Sequence, residues 1–187
     1  MKNLLKLIAL FFVAIFFITG CTFKGHGYKA DLDTINNLND KNLKQVDVLD
    51  IEENNIENNK SLALRAASMV SPHGDDFSDY LVYAIKEQLS QNNLYNKESN
   101  IKIEAVLLKN FVDIWGFSTG NYQLSGKFIV KKDNEILYNE ILSIQYNFPS
   151  HFVGQIAIEN GLANYPNAMK KLVSEFLNDE RLIKVLK

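Results

Sequence analysis

The stretch of residues 101–149, IKIEAVLLKNFVDIWGFSTGNYQLSGKFIVKKDNEILYNEILSIQYNFP, contains three runs in which apolar side chains recur at every second position. A period of two is typical of β-strands that bury one face. The three apolar faces are Ile101, Ile103, Ala105 and Leu107; Tyr122, Leu124, Gly126, Phe128 and Val130; and Ile136, Tyr138, Leu142, Ile144 and Tyr146. Residues 131–135 are a polar hairpin turn, because Asp133 and Asn134 tolerate positive φ. Connections this short predict an antiparallel three-stranded meander.

Two further strands and one helix are predicted upstream of this meander. Residues 44–51 and 61–66 each alternate between two faces, which predicts strands. Residues 75–91 carry apolar side chains at helical spacing, which predicts a helix. Asp75 or Asp76 is the expected N-cap, since a short acidic side chain accepts the free amide hydrogens of the first helical turn.

Downstream of the meander the pattern becomes helical. Pro149 ends the third strand, and apolar stripes at helical spacing then lie on both sides of Pro166. Because proline interrupts the helical hydrogen-bond ladder, we expect one helix before Pro166 and a longer helix after it. Residues 179–187 predict a short additional turn of helix.

These elements together define the fold class as α+β. The prediction is a two-layer sandwich, an antiparallel sheet with helices on one face, in the order β-(β-α-β-β-β-α). We expect this domain to occupy residues 44–187, a length that can bury a core without disulfides or metals. The chain has a single cysteine, which excludes an intramolecular disulfide.

The first 21 residues have the pattern of a secretory signal. A short basic start is followed by an unbroken apolar run over residues 7–18 and then by Thr19-Gly20-Cys21. Ile18-Thr19-Gly20-Cys21 looks like a bacterial lipobox, at which the cysteine is lipidated and the chain is cut just before it. The alternative is an uncleaved membrane anchor, but a span needs about 20 apolar residues. We therefore expect residues 1–20 to be a cleaved signal peptide and Cys21 to be the lipidation site.

The segment after this cysteine has no sustained hydrophobic period. Residues 21–43 are rich in glycine and asparagine and carry only isolated apolar positions. Such a stretch is expected to bury too little apolar surface to offset its ordering entropy. The interpretation is a lipidated tether that holds residues 44–187 away from the bilayer.

Charge excludes some classes of partner. Removal of Lys2 and Lys6 with the signal lowers Lys and Arg from 20 to 18 against 22 Asp and Glu, a net charge of about −4. Nucleic-acid binding and a polybasic membrane patch both need clustered basic residues, so neither is expected. The membrane contact predicted from sequence is therefore made by the acyl chains on Cys21.

No motif in the chain predicts catalysis. A Gly-x-Ser-x-Gly elbow is absent from the sequence, and His26, His73 and His151 are scattered along it. Zinc sites are recognised by close ligand spacing, which is missing here. We expect no enzymatic activity, metal or cofactor. An enzyme would require His73, His151 and an acidic group to converge in a cleft.

Two aromatic segments are the candidate surfaces for a protein partner. Trp115 and Phe117 lie on either side of Gly116 in the loop after the first strand of the meander, and Phe148 and Phe152 lie on either side of Pro149. Exposed aromatic residues favour partner contact, with tryptophan a common anchor. The alternative is that these side chains cover the hydrophobic core.

Several segments resemble a family of small Gram-negative envelope lipoproteins without a characterised activity. The segments are Leu64-Arg65-Ala66, Met69-Val70-Ser71-Pro72-His73-Gly74, Phe77-Ser78-Asp79-Tyr80-Leu81, Ser150-His151-Phe152-Val153-Gly154-Gln155-Ile156-Ala157-Ile158 and Tyr165-Pro166. The element order is also similar to that of YajG, LptE and the auxiliary lipoproteins of envelope ABC transporters.

The resemblance implies an outer-membrane-anchored periplasmic lipoprotein, a non-catalytic binding or assembly subunit of an envelope complex. Thr22 after the cysteine, rather than aspartate, is compatible with sorting to the outer membrane. The alternative function is a carrier of lipid or of a small apolar ligand. A carrier would need a cavity of roughly 300 Å³ or more between sheet and helices.

Overall fold

A computed structural model describes residues 21–51 and 59–187. The predicted signal peptide lies outside the described residues. In chain order the elements are β1 (Cys21–Lys24), α1 (Leu32–Asn39), β2 (Asp47–Asp50), β3 (Leu62–Leu64), β4 (Ala67–Val70), α2 (Phe77–Ser90), β5 (Ile101–Asp113), β6 (Thr119–Lys132), β7 (Glu135–Pro149), α3 (Gly154–Leu177) and α4 (Glu180–Leu186).

The meander predicted from residues 101–149 is confirmed. β5, β6 and β7 pair antiparallel, and the β6–β7 turn places Asp133 and Asn134 at φ values of 49° and 72°. The alternation placed Ile136 on the buried face of the third strand, and this part of the prediction is wrong. A register shift between Val130 and Lys131 turns Ile136 to the other face, where it is 55% exposed.

The large sheet has the order β2-β5-β6-β7 and is mixed rather than wholly antiparallel. β2 lies parallel to β5, with Val48 opposite Ile103. A parallel pair needs a long crossover connection, and here α2 lies within that connection.

A second sheet of three short strands has the order β1-β4-β3. The strand predicted over residues 61–66 ends early, because Arg65 adopts a φ of 55° and turns the chain into β4. The element order therefore includes a β3–β4 hairpin that the sequence pattern did not reveal.

Helices α2 and α3 cover one face of the large sheet and complete the two-layer α+β sandwich. Asp76, one of the two predicted N-cap residues, caps α2 and forms a capping box with Asp79. Phe176 of α3 stacks on Phe128 of β6 at 4.2 Å between ring centroids. The largest fully buried side chains are Tyr80, Tyr122, Tyr165, Phe77, Phe128, Phe176, Leu64, Met69, Leu81, Ile85, Leu89 and Ile103.

The predicted break at Pro166 is wrong, since α3 continues through it from Gly154 to Leu177. Tyr165 and Met169, on either side of the proline, are both fully buried. Packing of this stripe against the sheet offsets the hydrogen bond that the proline cannot donate. The short helix expected near the C-terminus is present as α4.

The prediction that residues 21–43 lack regular structure is also wrong. They contain β1 and α1, and Tyr28 and Leu38 are buried. Gln88 of α2, fully buried, accepts hydrogen bonds from the Tyr28 hydroxyl and the Asp31 N–H, and donates one to the Asp31 carbonyl. These buried polar contacts order a segment whose composition is typical of a loop.

Candidate functional site

The structure separates the four predicted partner-contact residues. The side chains of Trp115, Phe117 and Phe152 are 73%, 84% and 66% exposed, whereas Phe148 is 3% exposed. Phe148 stacks on Tyr122 at 4.9 Å between ring centroids. The prediction that Phe148 forms a binding surface is therefore wrong, because its ring faces the core as an inward position of β7.

The three exposed residues of this set belong to one surface, which we call the aromatic end; Phe23 and Phe111, at 40% and 42% exposed, lie outside it. It consists of Trp115, Phe117, Phe152, Val153 and Ile156. The two segments that carry these side chains, residues 114–120 and 148–158, contain no Asp, Glu, Lys or Arg. The five side chains of the aromatic end are therefore apolar, although they face solvent.

Arg65 holds the two segments of the aromatic end together. Its Nε and Nη2 donate to the Ile114 carbonyl at 3.0 and 2.8 Å. Nη2 also donates to the His151 carbonyl at 2.8 Å, and Nη1 donates to the Phe152 carbonyl at 3.1 Å. The guanidinium carbon lies 5.8 Å from the centre of the Trp115 ring, within the range of a cation–π contact.

Backbone and serine contacts reinforce this arrangement. The Ser150 N–H donates to the Ser118 carbonyl at 2.9 Å, and the Ser150 hydroxyl donates to the Ile114 carbonyl at 3.3 Å. A Cβ at Gly116 would lie 2.2 Å from the Thr119 carbonyl oxygen, so the β5–β6 turn requires glycine at this position. The aromatic side chains are therefore presented by a loop with a defined conformation.

His151 has a structural role at the start of α3. Its Nδ1 accepts a hydrogen bond from the Val153 N–H at 3.0 Å, and its ring packs against Phe152 at 4.6 Å between centroids. Val153, the N-cap residue, supplies no side-chain cap of its own. His151 therefore provides an acceptor for an amide just before the first turn of the helix.

His73 is held in different surroundings. Its ring stacks on Tyr83 at 3.6 Å and on Tyr80 at 5.8 Å between centroids. Burial, and secondarily the positive charge of Lys24, lower the pKa of His73 below its usual value. Among residues 21–51 and 59–187, no three His, Cys, Asp or Glu side chains are placed to hold a metal ion.

Cys21 is exposed and is the first residue of β1. β1 pairs with β4 in parallel register, with Cys21 opposite Ala67, which is two residues after Arg65. Paired strands lie about 5 Å apart and two residues of a strand span about 7 Å, so the Cα atoms of Cys21 and Arg65 lie within about 12 Å of each other. The predicted lipidation site is therefore at the same end of the molecule as the aromatic end.

Aromatic side chains pack together between the large sheet and the helices in the described part of the chain. Tyr165 of α3 packs against Tyr122, Tyr80 and Phe77 at centroid distances of 4.9 to 5.8 Å. A pocket of about 500 Å³ opens instead at the surface, between residues 26–29 and α3. Its rim includes two lysines, Lys29 and Lys170, so its position and lining differ from those expected for a carrier of an apolar ligand.

No helix in residues 21–51 or 59–187 combines the length and the hydropathy needed to span a bilayer.

Arg65 is the functional residue that the sequence reasoning missed. A single arginine within the apolar run of residues 62–67 was the available signal. Its partners, the carbonyls of residues 114, 151 and 152, are distant in sequence and are ordinary backbone groups. Only the tertiary structure brings them together.

The fold defines the chain as an α+β two-layer sandwich with a mixed four-stranded sheet and a smaller three-stranded sheet. Protein XCC0632 from Xanthomonas campestris, of the DUF330 family, has a similar fold, with a TM-score of 0.58 at 11% identity. The match covers 87% of this chain and 96% of that one.

A minor lipoprotein from Acinetobacter baumannii also aligns, with a TM-score of 0.45 at 10% identity, over 76% of this chain and 95% of that chain. No protein-family model matches the sequence, and no curated protein matches it either. At these identities the likeness to XCC0632 shows a shared fold.

Proposed function

We propose that the chain is a lipoprotein of the outer membrane that faces the periplasm and serves as a non-catalytic binding or assembly subunit of an envelope complex. The observation that carries this proposal is the position of Cys21. It follows a signal-like segment directly and is exposed at the first residue of the described domain. Its thiol is therefore accessible for acylation without unfolding of the core.

The histidine contacts support a non-catalytic role. His151 accepts an amide hydrogen bond before α3, and His73 is stacked on Tyr83 and Tyr80. These contacts give each ring a structural role, and among the described residues neither histidine belongs to a group of three His, Cys, Asp or Glu side chains placed to hold a metal ion.

Strand β7 is the surface that we propose for the protein partner. It has 15 residues and lies at the edge of the large sheet, where among the described strands it pairs only with β6. An edge strand presents unpaired backbone groups to which an extended segment of another protein can add. The partner would then contribute a strand beside β7.

Acylation is tested by metabolic labelling of the full chain with an alkyne analogue of palmitate. The wild-type chain should incorporate the label and fractionate with outer membranes, whereas Cys21→Ser should do neither. A wild-type chain that stays unlabelled, or that fractionates with the inner membrane, would contradict the corresponding part of the proposal.

The partner is tested by photo-crosslinking in cells at native expression. A photoreactive residue at Asn139 or Ser143, both exposed on β7, should capture a protein. The matched control is Lys102, exposed on β5 in the interior of the same sheet, which should capture less. Recovery of the monomer alone from all three positions would count against an assembly role.

A further inference from the structure

We infer that the aromatic end lies in the interfacial layer of the same bilayer that holds the acyl chains of Cys21, so that the domain rests directly on the membrane. This inference rests on the acylation proposed above. It replaces the tether predicted from sequence with a fixed orientation of the domain.

No linker separates Cys21 from the first strand of the described fold. Cys21 is itself paired with Ala67, and the parallel register continues to Lys24 opposite Val70. The Gly25 N–H then donates to the Val70 carbonyl at 2.9 Å. While β1 stays paired, acyl chains on Cys21 leave the domain within about 12 Å of the Arg65 Cα atom.

The surface near this exit point carries exposed aromatic side chains suited to a bilayer interface. Tryptophan and phenylalanine are typical of groups that enter the layer between lipid headgroups and acyl chains. Trp115, Phe117 and Phe152 are the three aromatic members of the aromatic end, and no acidic or basic residue occurs in their two segments. Within these two segments, insertion would therefore move no carboxylate or ammonium group out of water; the carboxylate of Asp113, directly before the first segment, accepts a hydrogen bond from the Trp115 N–H at 3.0 Å at the base of the loop.

Several backbone groups of the aromatic end already have hydrogen-bond partners within the protein. Arg65 donates to the carbonyls of Ile114, His151 and Phe152, and the Ser150 N–H pairs with the Ser118 carbonyl. Unsatisfied backbone groups are costly where water is excluded, and these contacts reduce that cost. The Arg65 guanidinium lies at the base of the loops, where its charge is partly compensated by the three carbonyls to which it donates.

A bilayer fits this surface better than a protein. The acyl chains on Cys21 hold the membrane surface close to the aromatic end. A protein bound at the aromatic end would therefore have to fit between the domain and the membrane. While β1 is paired with β4, the Cα atoms of Cys21 and Arg65 stay within about 12 Å of each other, which leaves little room for a protein. Capture of a protein at this surface is therefore an outcome that would overturn the inference.

Trp115 is the only tryptophan in the chain, so its fluorescence reports on the aromatic end alone. The experiment uses the full-length protein, purified with its acyl chains and reconstituted into vesicles of phosphatidylethanolamine and phosphatidylglycerol. The reference is the unacylated domain, residues 21–187 with Cys21→Ser and without the apolar segment before it, and emission from Trp115 should shift to the blue relative to this domain in buffer. Lipids brominated near the headgroup end of the acyl chains should quench it, and aqueous acrylamide should quench it weakly.

The matched control moves the tryptophan to the opposite end of the sheet. Trp115→Phe combined with Ile136→Trp places it at a position that is 55% exposed beside the β6–β7 turn. Its partner Lys131 is 12 residues along β6 from Thr119, a distance of about 40 Å. This tryptophan should be quenched by acrylamide and not by brominated lipid.

A second measurement removes the aromatic side chains. For the Cys21→Ser domain, Phe117→Ser and Phe152→Ser should each weaken partition onto the same vesicles by about tenfold, since each removes a large apolar contact with lipid. Both positions are exposed, so the variants should fold. Partition that does not change in either variant would contradict the inference.

The outcomes separate the two proposals. Mass spectrometry of the purified wild-type chain decides acylation, and a chain without acyl groups would overturn both the proposed function and this inference. An acylated chain whose Trp115 remains open to acrylamide and unaffected by brominated lipid would overturn only the inference. A photoreactive residue at Phe117 that captures a protein rather than lipid in cells would also overturn it.

Discussion

Replacement of Arg65 tests whether one side chain organises the aromatic end. Arg65→Ala removes four hydrogen bonds to the carbonyls of Ile114, His151 and Phe152. Hydrogen bonds from charged donors contribute about 1.5–3 kcal/mol each when their partners stay buried. Arg65 is half-buried, so water can hydrogen-bond some of these carbonyls once the side chain is removed, and Ser150 already donates to the Ile114 carbonyl. The net loss of stability is therefore smaller than the sum over four hydrogen bonds. We expect the free energy of unfolding to fall by about 2–3 kcal/mol in total.

Arg65→Gly separates the side chain from the backbone. Arg65 has a φ of 55°, a conformation that glycine adopts without the strain of a Cβ atom. Arg65→Gly should therefore be about 1 kcal/mol more stable than Arg65→Ala, although both lack the guanidinium. Arg65→Lys keeps the charge but cannot donate in a planar fork to three carbonyls, so its stability should lie between Arg65→Ala and the wild type.

The assay is urea unfolding of the unacylated domain, followed by circular dichroism and by hydrogen exchange. The Ser150 amide, bonded to the Ser118 carbonyl, should lose protection in Arg65→Ala. The control is Lys131→Ala, which removes a surface ion pair with Glu104 at 2.7 Å and should cost less than about 1 kcal/mol. If Arg65→Ala costs no more than this control and leaves Ser150 protected, Arg65 does not hold the aromatic end together.

Three further predictions concern the core, α3 and pH. Phe148→Ala should destabilise the domain by about 3–5 kcal/mol, whereas Phe117→Ala should change urea stability by less than about 0.5 kcal/mol; equal effects would contradict the burial assigned to these rings. Pro166→Ala should raise stability by about 1–3 kcal/mol, because α3 is helical through this position; a decrease in the midpoint would show that the proline has a compensating role. A hydrogen bond from the Arg181 side chain lowers the pKa of Asp179 from 3.8 to about 2, so the stability it contributes is present above pH 4 and is lost as pH falls toward 2. Asp179→Asn should flatten this dependence in acid titrations of unfolding, and an unchanged slope would exclude Asp179 as its source.

The elements that the sequence predicted correctly depend on neighbours along the chain. The alternation in residues 101–149 and the short turn at Asp133 and Asn134 are sufficient to specify the meander. The helical spacing after Asp76, with its capping box to Asp79, is sufficient to specify α2. In both cases the periodicity and the turn or cap residues occur within one segment, where they can be read directly.

Two predictions fail for local reasons, the turn at Arg65 between β3 and β4 and the register shift beside Ile136, whereas the larger errors involve contacts between distant segments. β1 pairs with β4 across 46 residues and β2 with β5 across 55, and neither pairing has a local signal. The ordering of residues 21–43 depends on the fully buried Gln88, which is polar and so does not mark a core position by composition. The division of the aromatic candidates into exposed and buried depends on strand register, which places Phe148 inward.

The sequence by itself determined the signal-like start, the single cysteine, the meander and the helix over α2, because each is encoded by hydropathy and spacing within a short stretch. Only the tertiary structure decided that Cys21 is part of a sheet rather than the start of a tether. It also decided that Arg65 joins two uncharged aromatic segments at the same end of the domain. The first result depends on the parallel pairing of β1 with β4, and the second depends on hydrogen bonds to backbone carbonyls. Neither kind of contact can be predicted from the order of side-chain types along the chain.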